Sequence, residues 1–264
     1  MIFRRIDFAP DAGPDVWMDA YISDPLPGYT RRAILVIPGG GYGGVCSDRE
    51  GEPIAQAFAA HGFNAFVLHY TVGRKKPYPA QLTEASLAIA DIRRNAAGYG
   101  IDPEKIFAVG FSAGGHLAGS LGTMWKRVGS LGGANRPTGV MLVYPVVSAV
   151  KPYSELGTIR NLWCSDELTD EQRREVSLEL AVDGDSVPAF IVHTSNDQAV
   201  DVRNSLALAE AYRAHGLLFE MHIYPDAPHG VALGNDITRC GNAKWSDPRI
   251  ARWVDAAAAW AESL

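Results

Sequence analysis

Ser112 stands in Gly110-Phe111-Ser112-Ala113-Gly114, a G-x-S-x-G pentapeptide that runs on as Gly115-His116-Leu117-Ala118. A serine hydroxyl is a weak nucleophile at neutral pH; it needs a base to take its proton and a third group to orient that base. The setting of the pentapeptide suits this use. Lys105-Ile106-Phe107-Ala108-Val109 reads as a short buried strand and His116 to Met124 as a helix, so the serine falls in a sharp strand-to-helix turn, a nucleophile elbow. Such a turn strains the serine backbone and needs small neighbours, which Gly110, Ala113, Gly114 and Gly115 supply. The helix N-terminus beneath it offers unpaired N–H groups and partial positive charge to a developing oxyanion. The plainer reading is a glycine-rich helix start whose serine is only a cap. Partners elsewhere in the chain decide between the two.

Two residues have the right types and places. Asp197 ends His193-Thr194-Ser195-Asn196-Asp197, just beyond a strand closing at Val192, and His229 lies in Tyr224-Pro225-Asp226-Ala227-Pro228-His229-Gly230, just beyond the last strand. Strand-end loops are where doubly wound folds carry such groups, and Ser112, Asp197, His229 is the chain order they use. Asp226 is the rival acid, weakened by its place immediately ahead of the base. His193 precedes Asp197 and reads as a packing or bonding partner of the acid loop, and His116 as structural. His61 and His215 each precede a glycine at a helix end, where a cation suits the dipole.

Pro38-Gly39-Gly40-Gly41-Tyr42-Gly43-Gly44 has two readings. Gly39, Gly41 and Gly44 satisfy G-x-G-x-x-G between a strand and a helix, as a dinucleotide site requires. The next strand, however, ends in His69-Tyr70-Thr71, without the acid that would hold a ribose. The other reading is an oxyanion loop, whose backbone N–H groups approach a substrate oxygen with no side chains in the way. It is favoured because it explains this loop and the elbow together.

The elements that must position these residues alternate along the whole chain. Ile2 to Phe8 and Val16 to Ile22 alternate as two early strands, antiparallel and near a sheet edge. Ala33–Ile37, Ala65–Leu68, Val140–Tyr144, Ala189–Val192 and Phe219–Ile223 read as further strands. Helices are expected over Pro53–Ala60, from Pro79 through Ala96 and over Asn204–His215, with Ser47-Asp48-Arg49-Glu50 as a capping box. A terminal helix capped by Ser246-Asp247-Pro248 follows. The fold class is therefore α/β: a doubly wound, mostly parallel sheet flanked by helices, in a single domain over 1–264. A small lid insertion is expected at about 148–187, with a helix opening at Thr169-Asp170-Glu171-Gln172. It contains Trp163, which either packs the insertion onto the core or meets substrate.

Composition sets the remaining bounds. A net charge of -6 and the absence of basic runs argue against nucleic acid or an anionic membrane, leaving a small molecule as partner. Cys46, Cys164 and Cys240 are odd in number and without paired spacing, so neither a disulfide framework nor a metal site is indicated. With no leader-like start and no run of 18 apolar residues, a cytoplasmic protein is expected, and a homo-oligomer is left open.

On Pro38-Gly39-Gly40-Gly41-Tyr42, the Gly110 to Ala118 segment, Asp197 and His229-Gly230, the chain resembles the α/β-hydrolase esterase/lipase family over nearly its whole length. It looks closest to the bacterial acetylxylan and feruloyl esterases associated with xylanases. The resemblance implies Ser112, Asp197 and His229 as the catalytic residues and the N–H groups of Gly40, Gly41 and Ala113 as the oxyanion hole, without a cofactor or metal. Tyr42 and Trp163 are the expected substrate contacts. Related esterases usually carry His before the glycine run, where this chain has Pro38, which touches the loop's local bonding and not its donors. The implied activity is hydrolysis of short acyl esters, acetyl above all, on small sugars such as xylo-oligosaccharides. An arylformamidase, an oligopeptidase of the same fold, or a non-catalytic binding protein are the alternatives.

Overall fold

Ala33 to Ile37 is apolar at every position because both faces of that strand are covered, and its side chains part alternately. Ala33, Leu35 and Ile37 join one hydrophobic core, while Ile34 and Val36 join a second. The computed structural model describes residues 1–264, and the same parting runs through the neighbouring strands. Eight strands form one sheet: β1 (Ile2–Ile6), β2 (Trp17–Ile22), β3 (Arg31–Ile37), β4 (Phe63–His69), β5 (Ile101–Phe111), β6 (Gly139–Val143), β7 (Ala189–Thr194) and β8 (Phe219–Tyr224). Their spatial order is β1-β2-β4-β3-β5-β6-β7-β8. β1 and β2 run antiparallel at one edge, and every pair from β4 to β8 is parallel.

The helices are α1 (Ser47–Glu50), α2 (Glu52–Ala60), α3 (Ala80–Arg94), α4 (Ala96–Tyr99), α5 (Ala113–Thr123), α6 (Leu156–Trp163), α7 (Asp170–Glu175), α8 (Leu178–Ala181), α9 (Arg203–Ala214) and α10 (Trp253–Glu262). α3, α5 and α9 cover one face through Leu82, Ile89, Leu117 and Leu208; α2 and α10 cover the other through Ile54, Phe58, Trp253 and Ala257. Each buried Val, Leu or Ile contributes about 1.5–3 kcal/mol, so loops at the strand ends stand on the stiffest part of the molecule. No helix is long and apolar enough to cross a membrane.

Residues 148–187 carry α6, α7 and α8. They are packed down rather than draped: Ile159, Leu162, Val176 and Leu178 join the core that α5 faces, and the Leu178 N–H donates to Val147 at 3.0 Å. The capping box opening α7 forms, with the Thr169 hydroxyl and the Gln172 side chain each bonded to the other's backbone. α6 also touches the glycine loop, because Asn161 Nδ2 donates to the Gly41 carbonyl at 2.9 Å.

Two expected caps do not form. Neither Ser47 nor Glu50 caps α1; Cys46 holds the N-cap position and the Glu50 side chain turns inward to two buried donors, which compete better for a carboxylate than an exposed helix end. At the C-terminal end, Asp247 binds Arg249 instead of capping a helix. A single 3-10 turn, Ile250–Arg252, intervenes, and α10 begins only at Trp253.

Candidate active site

Ser112 follows β5 with φ 53° and ψ −116°, a left-handed, strained conformation for a residue with a side chain. Its N–H donates to Val143 at 3.0 Å, and its carbonyl accepts from His116 at 3.0 Å and Val146 at 3.2 Å. The turn is so tight that flanking Cβ atoms have no room. One on Gly110 would lie 2.0 Å from the Gly114 carbonyl oxygen, and one on Gly114 would lie 2.1 Å from that of Ile37. Packing of β5, α5 and β3 thus dictates both glycines of the pentapeptide.

The Ser112 hydroxyl lies 2.9 Å from Nε2 of His229, and Nδ1 of His229 lies 2.7 Å from Oδ2 of Asp197. The other carboxylate oxygen accepts from the N–H groups of Ala199 at 2.9 Å and Val200 at 3.0 Å. Burial alone would push the Asp197 carboxyl up, but hydrogen bonds from the His193 and His229 side chains, the His229 charge and the Val200 N–H together hold it well below the usual carboxylate range. His193 is buried beside it: Nε2 donates to the Val200 carbonyl at 2.9 Å and passes 3.4 Å from Asp197 Oδ2, while Nδ1 meets the Ser205 hydroxyl at 2.7 Å. Asp226 is exposed and takes its hydrogen bond from Asn196, not from His229. This chain of contacts can carry a proton from Ser112 to an imidazole whose far nitrogen is held by a buried anion.

The glycine loop after β3 is stitched at many points. Gly43 and Gly44 donate to the Gly40 carbonyl at 3.0 and 3.1 Å, Cys46 to that of Gly39 at 2.9 Å, and the Tyr70 hydroxyl to that of Pro38 at 2.7 Å. Gly40 has φ 128°, and a Cβ there would lie 2.4 Å from the Gly44 oxygen. The N–H groups of Gly40, Gly41 and Ala113 make no hydrogen bond within the chain. The loop runs into the four-residue α1 and not into a long helix as a dinucleotide site would. No three His, Cys, Asp or Glu side chains converge as metal ligands do.

The two residues expected to touch substrate both make contacts within the chain. Tyr42 is 1% exposed, its hydroxyl 2.9 Å from Nδ1 of His116, whose Nε2 donates to Val176 at 2.7 Å. That corrects the expectation: the loop turns the phenol into the core, where it bridges the glycine run to α5. Trp163 is half-buried at the end of α6, its ring 5.1 Å from that of Tyr78 against the core, and its indole nitrogen is buried without a partner. The contact with Tyr78 is of the kind the packing reading expects.

Sequence reasoning missed Glu50, Tyr144 and Asn161. Glu50 is 2% exposed and accepts from the Gly39 N–H at 2.8 Å and from the Tyr144 hydroxyl at 2.8 Å. Tyr144, with φ 39°, lays its ring 4.8 Å from that of His229. A glutamate next to a glycine loop and a tyrosine one residue past a strand were the available signals, and neither is specific.

Against known proteins, the model of the prolyl oligopeptidase family matches residues 88–243 and the BD-FAE model matches residues 18–142. Endo-1,4-beta-xylanase B of Butyrivibrio fibrisolvens is 38% identical over 214 residues, 78% of this chain and 33% of that protein. The chain thus spans about a third of that relative. An acetyl ester-xyloside bifunctional hydrolase from Caldicellulosiruptor lactoaceticus has a TM-score of 0.83 at 32% identity, covering 98% of this chain and 92% of that one. MGS-M1, an alpha/beta hydrolase from a Medee basin deep-sea metagenome library, has a TM-score of 0.82 at 31% identity, covering 100% and 97%.

Proposed function

Because this chain belongs to the α/β-hydrolase family, among its carboxylic ester hydrolases, we propose that it cleaves short acyl esters, acetyl esters of small sugars above all, through an acyl-enzyme on Ser112. The observation that carries the reading is the run of contacts Ser112 Oγ to His229 Nε2 at 2.9 Å and His229 Nδ1 to Asp197 at 2.7 Å. His229 takes the Ser112 proton as Oγ attacks the ester carbonyl carbon. The oxygen that becomes negative is received by the N–H groups of Gly40, Gly41 and Ala113, the last at the positive end of α5. The tetrahedral species collapses, the alcohol leaves with the proton from His229, and water repeats the cycle to release the acid and restore Ser112. Asp197 stays ionised and holds the imidazole in the tautomer that presents a bare Nε2 to Ser112.

The sugar part of the proposal is supported by the xylanase B relative, which matches 78% of this chain, and by the acetyl ester-xyloside hydrolase, which matches 98% of it. A second reading, peptide hydrolysis, is favoured by the match to the prolyl oligopeptidase model over residues 88–243. The test is a fluorophosphonate label followed by a panel of acetylated xylo-oligosaccharides, aryl esters, N-formylkynurenine and proline peptides. The expected result is one label per chain at Ser112 and fastest turnover on the acetylated sugars. Labelling with turnover only on peptides or the formamide would move the substrate class, and no labelling would leave a binding protein.

A further inference from the structure

Glu50 is a carboxylate placed where carboxylates rarely go. Its side chain is almost fully buried, yet both oxygens are used: Oε2 accepts from the Gly39 N–H at 2.8 Å and Oε1 from the Tyr144 hydroxyl at 2.8 Å. A Cβ on Gly39 would lie 2.9 Å from Glu50 Oε2 and 3.0 Å from the Ser112 Cβ, so the carboxylate and the serine close over the same side of this glycine and leave no room for a side chain there. The Tyr144 hydroxyl in turn accepts from the Ala232 N–H at 3.1 Å, three residues beyond His229, and the Tyr144 ring stands against the imidazole. Glu50 therefore ties together the segments after β3, after β6 and around His229.

From this arrangement we infer that Glu50 is a positioning residue, which fixes the glycine loop through Gly39 and the ring of His229 through Tyr144 so that the site is assembled before substrate arrives. The inference rests on the acyl-transfer reading above. Burying an ionisable side chain costs free energy, and a residue kept for shape alone could be Gln or Met. A carboxylate accepts at both oxygens and donates at neither, which matches the two donors; a glutamine would set its NH₂ against one of them. Burial pushes Tyr144 well above its ordinary range, and so does the neighbouring Glu50, which keeps the phenol protonated and donating. With the Gly39 N–H pinned, the peptide units that follow present their N–H groups without reorganising as the oxyanion forms. Around this carboxylate stand Arg49 and Cys46 on its own segment, Tyr70 beyond β4 and Tyr144 beyond β6, and His229 itself faces Asp197.

The experiment compares Glu50→Gln, Tyr144→Phe and Ser112→Ala with the unmodified protein on a minimal acetate ester, with the affinity of an arylboronic acid as a probe of the tetrahedral state. Glu50→Gln is expected to lower kcat by about 10- to 100-fold with KM within about twofold, and to weaken the boronic acid by the same factor. Tyr144→Phe keeps the ring and removes the link, and is expected to lower kcat by about 3- to 10-fold with KM unchanged. If Glu50→Gln does not fold, Tyr144→Phe decides. Normal kcat in a folded Glu50→Gln, or losses in which kcat falls while boronic acid affinity holds, overturns the inference. An active Ser112→Ala instead overturns the acyl-enzyme reading, whatever Glu50 does.

Discussion

Nε2 of His229 stands 2.9 Å from Oγ of Ser112, although 117 residues separate the two in sequence. A proton can cross that contact only if both residues are present. Ser112→Ala and His229→Ala are therefore each expected to lower kcat on an acetate ester by roughly 10⁴-fold, and the double variant to be little worse than either. Losses that multiply in steady-state kinetics would show that the two residues act separately.

Two aspartates are tested for the role of the acid. Asp197→Asn removes the anion that fixes the His229 tautomer and should cut turnover by about 10³-fold or more, whereas Asp226→Asn, which loses only an exposed bond to Asn196, should leave it within about twofold. Parallel assays of the two purified variants check the ranking, and the reverse order would reassign the role.

Much of this could be read from the chain, and the exceptions share a cause. The elbow was legible because close packing leaves glycine as the only residue that fits at Gly110 and Gly114, and the alternating strands because each face of the sheet meets a separate core. Glu50 was not legible: its partner Tyr144 is 94 residues away, and Ser47-x-x-Glu50 imitates a local cap. Tyr42 misled in the same way, since its own partner, His116, lies 74 residues on and draws the phenol inward. Local pattern reports which turns must form, and it is silent on which distant donor a polar side chain finds.

His116 sets a pH dependence on stability. Burial lowers its imidazole from 6.5 to about 4, against the opposing hydrogen bond to Val176. An unfolded chain protonates this residue below about 6.5 while the native one does not, so stability present above that pH is lost as pH falls from about 6.5 to 4, by roughly 3 kcal/mol in all. Asp197, held low, adds a further loss below about 4. Glu50 and Glu84, pushed up by burial, act with the opposite sign above about 4.5, but equally in both proteins compared. Thermal midpoints between pH 4 and 6.5 should slope less in His116→Gln than in the unmodified protein; equal slopes would remove His116 as the cause.

Gly40→Ala should be costly for the loop. Its φ of 128° suits only glycine and a Cβ would meet the Gly44 carbonyl at 2.4 Å, so the two peptide units carrying the Gly40 and Gly41 N–H groups must shift. An expected fall in kcat of about 100-fold with little change in KM follows from displaced donors. A rise in KM alone would show that the loop binds substrate without stabilising the oxyanion.

For Trp163, the contact with Tyr78 makes stability the readout. Trp163→Ala should lower the thermal midpoint by about 5 °C or more and reduce turnover on a bulky aryl ester and on a minimal acetate ester by similar factors. A change in KM for the bulky ester alone, with the midpoint unmoved, would return this residue to the substrate.

Asn161 reaches from α6 to donate to the Gly41 carbonyl at 2.9 Å, and so residues 148–187 are hydrogen-bonded to the glycine loop. A segment bonded in this way is not a detachable module. Exchanging it for that of a relative, to change what the site accepts, would also disturb the peptide unit that follows Gly41, and breadth of substrate and speed of reaction would drift together. A graft that carries its own asparagine at this position keeps the two properties separable, giving engineers and natural selection alike a single residue through which a new specificity can be tried without surrendering rate.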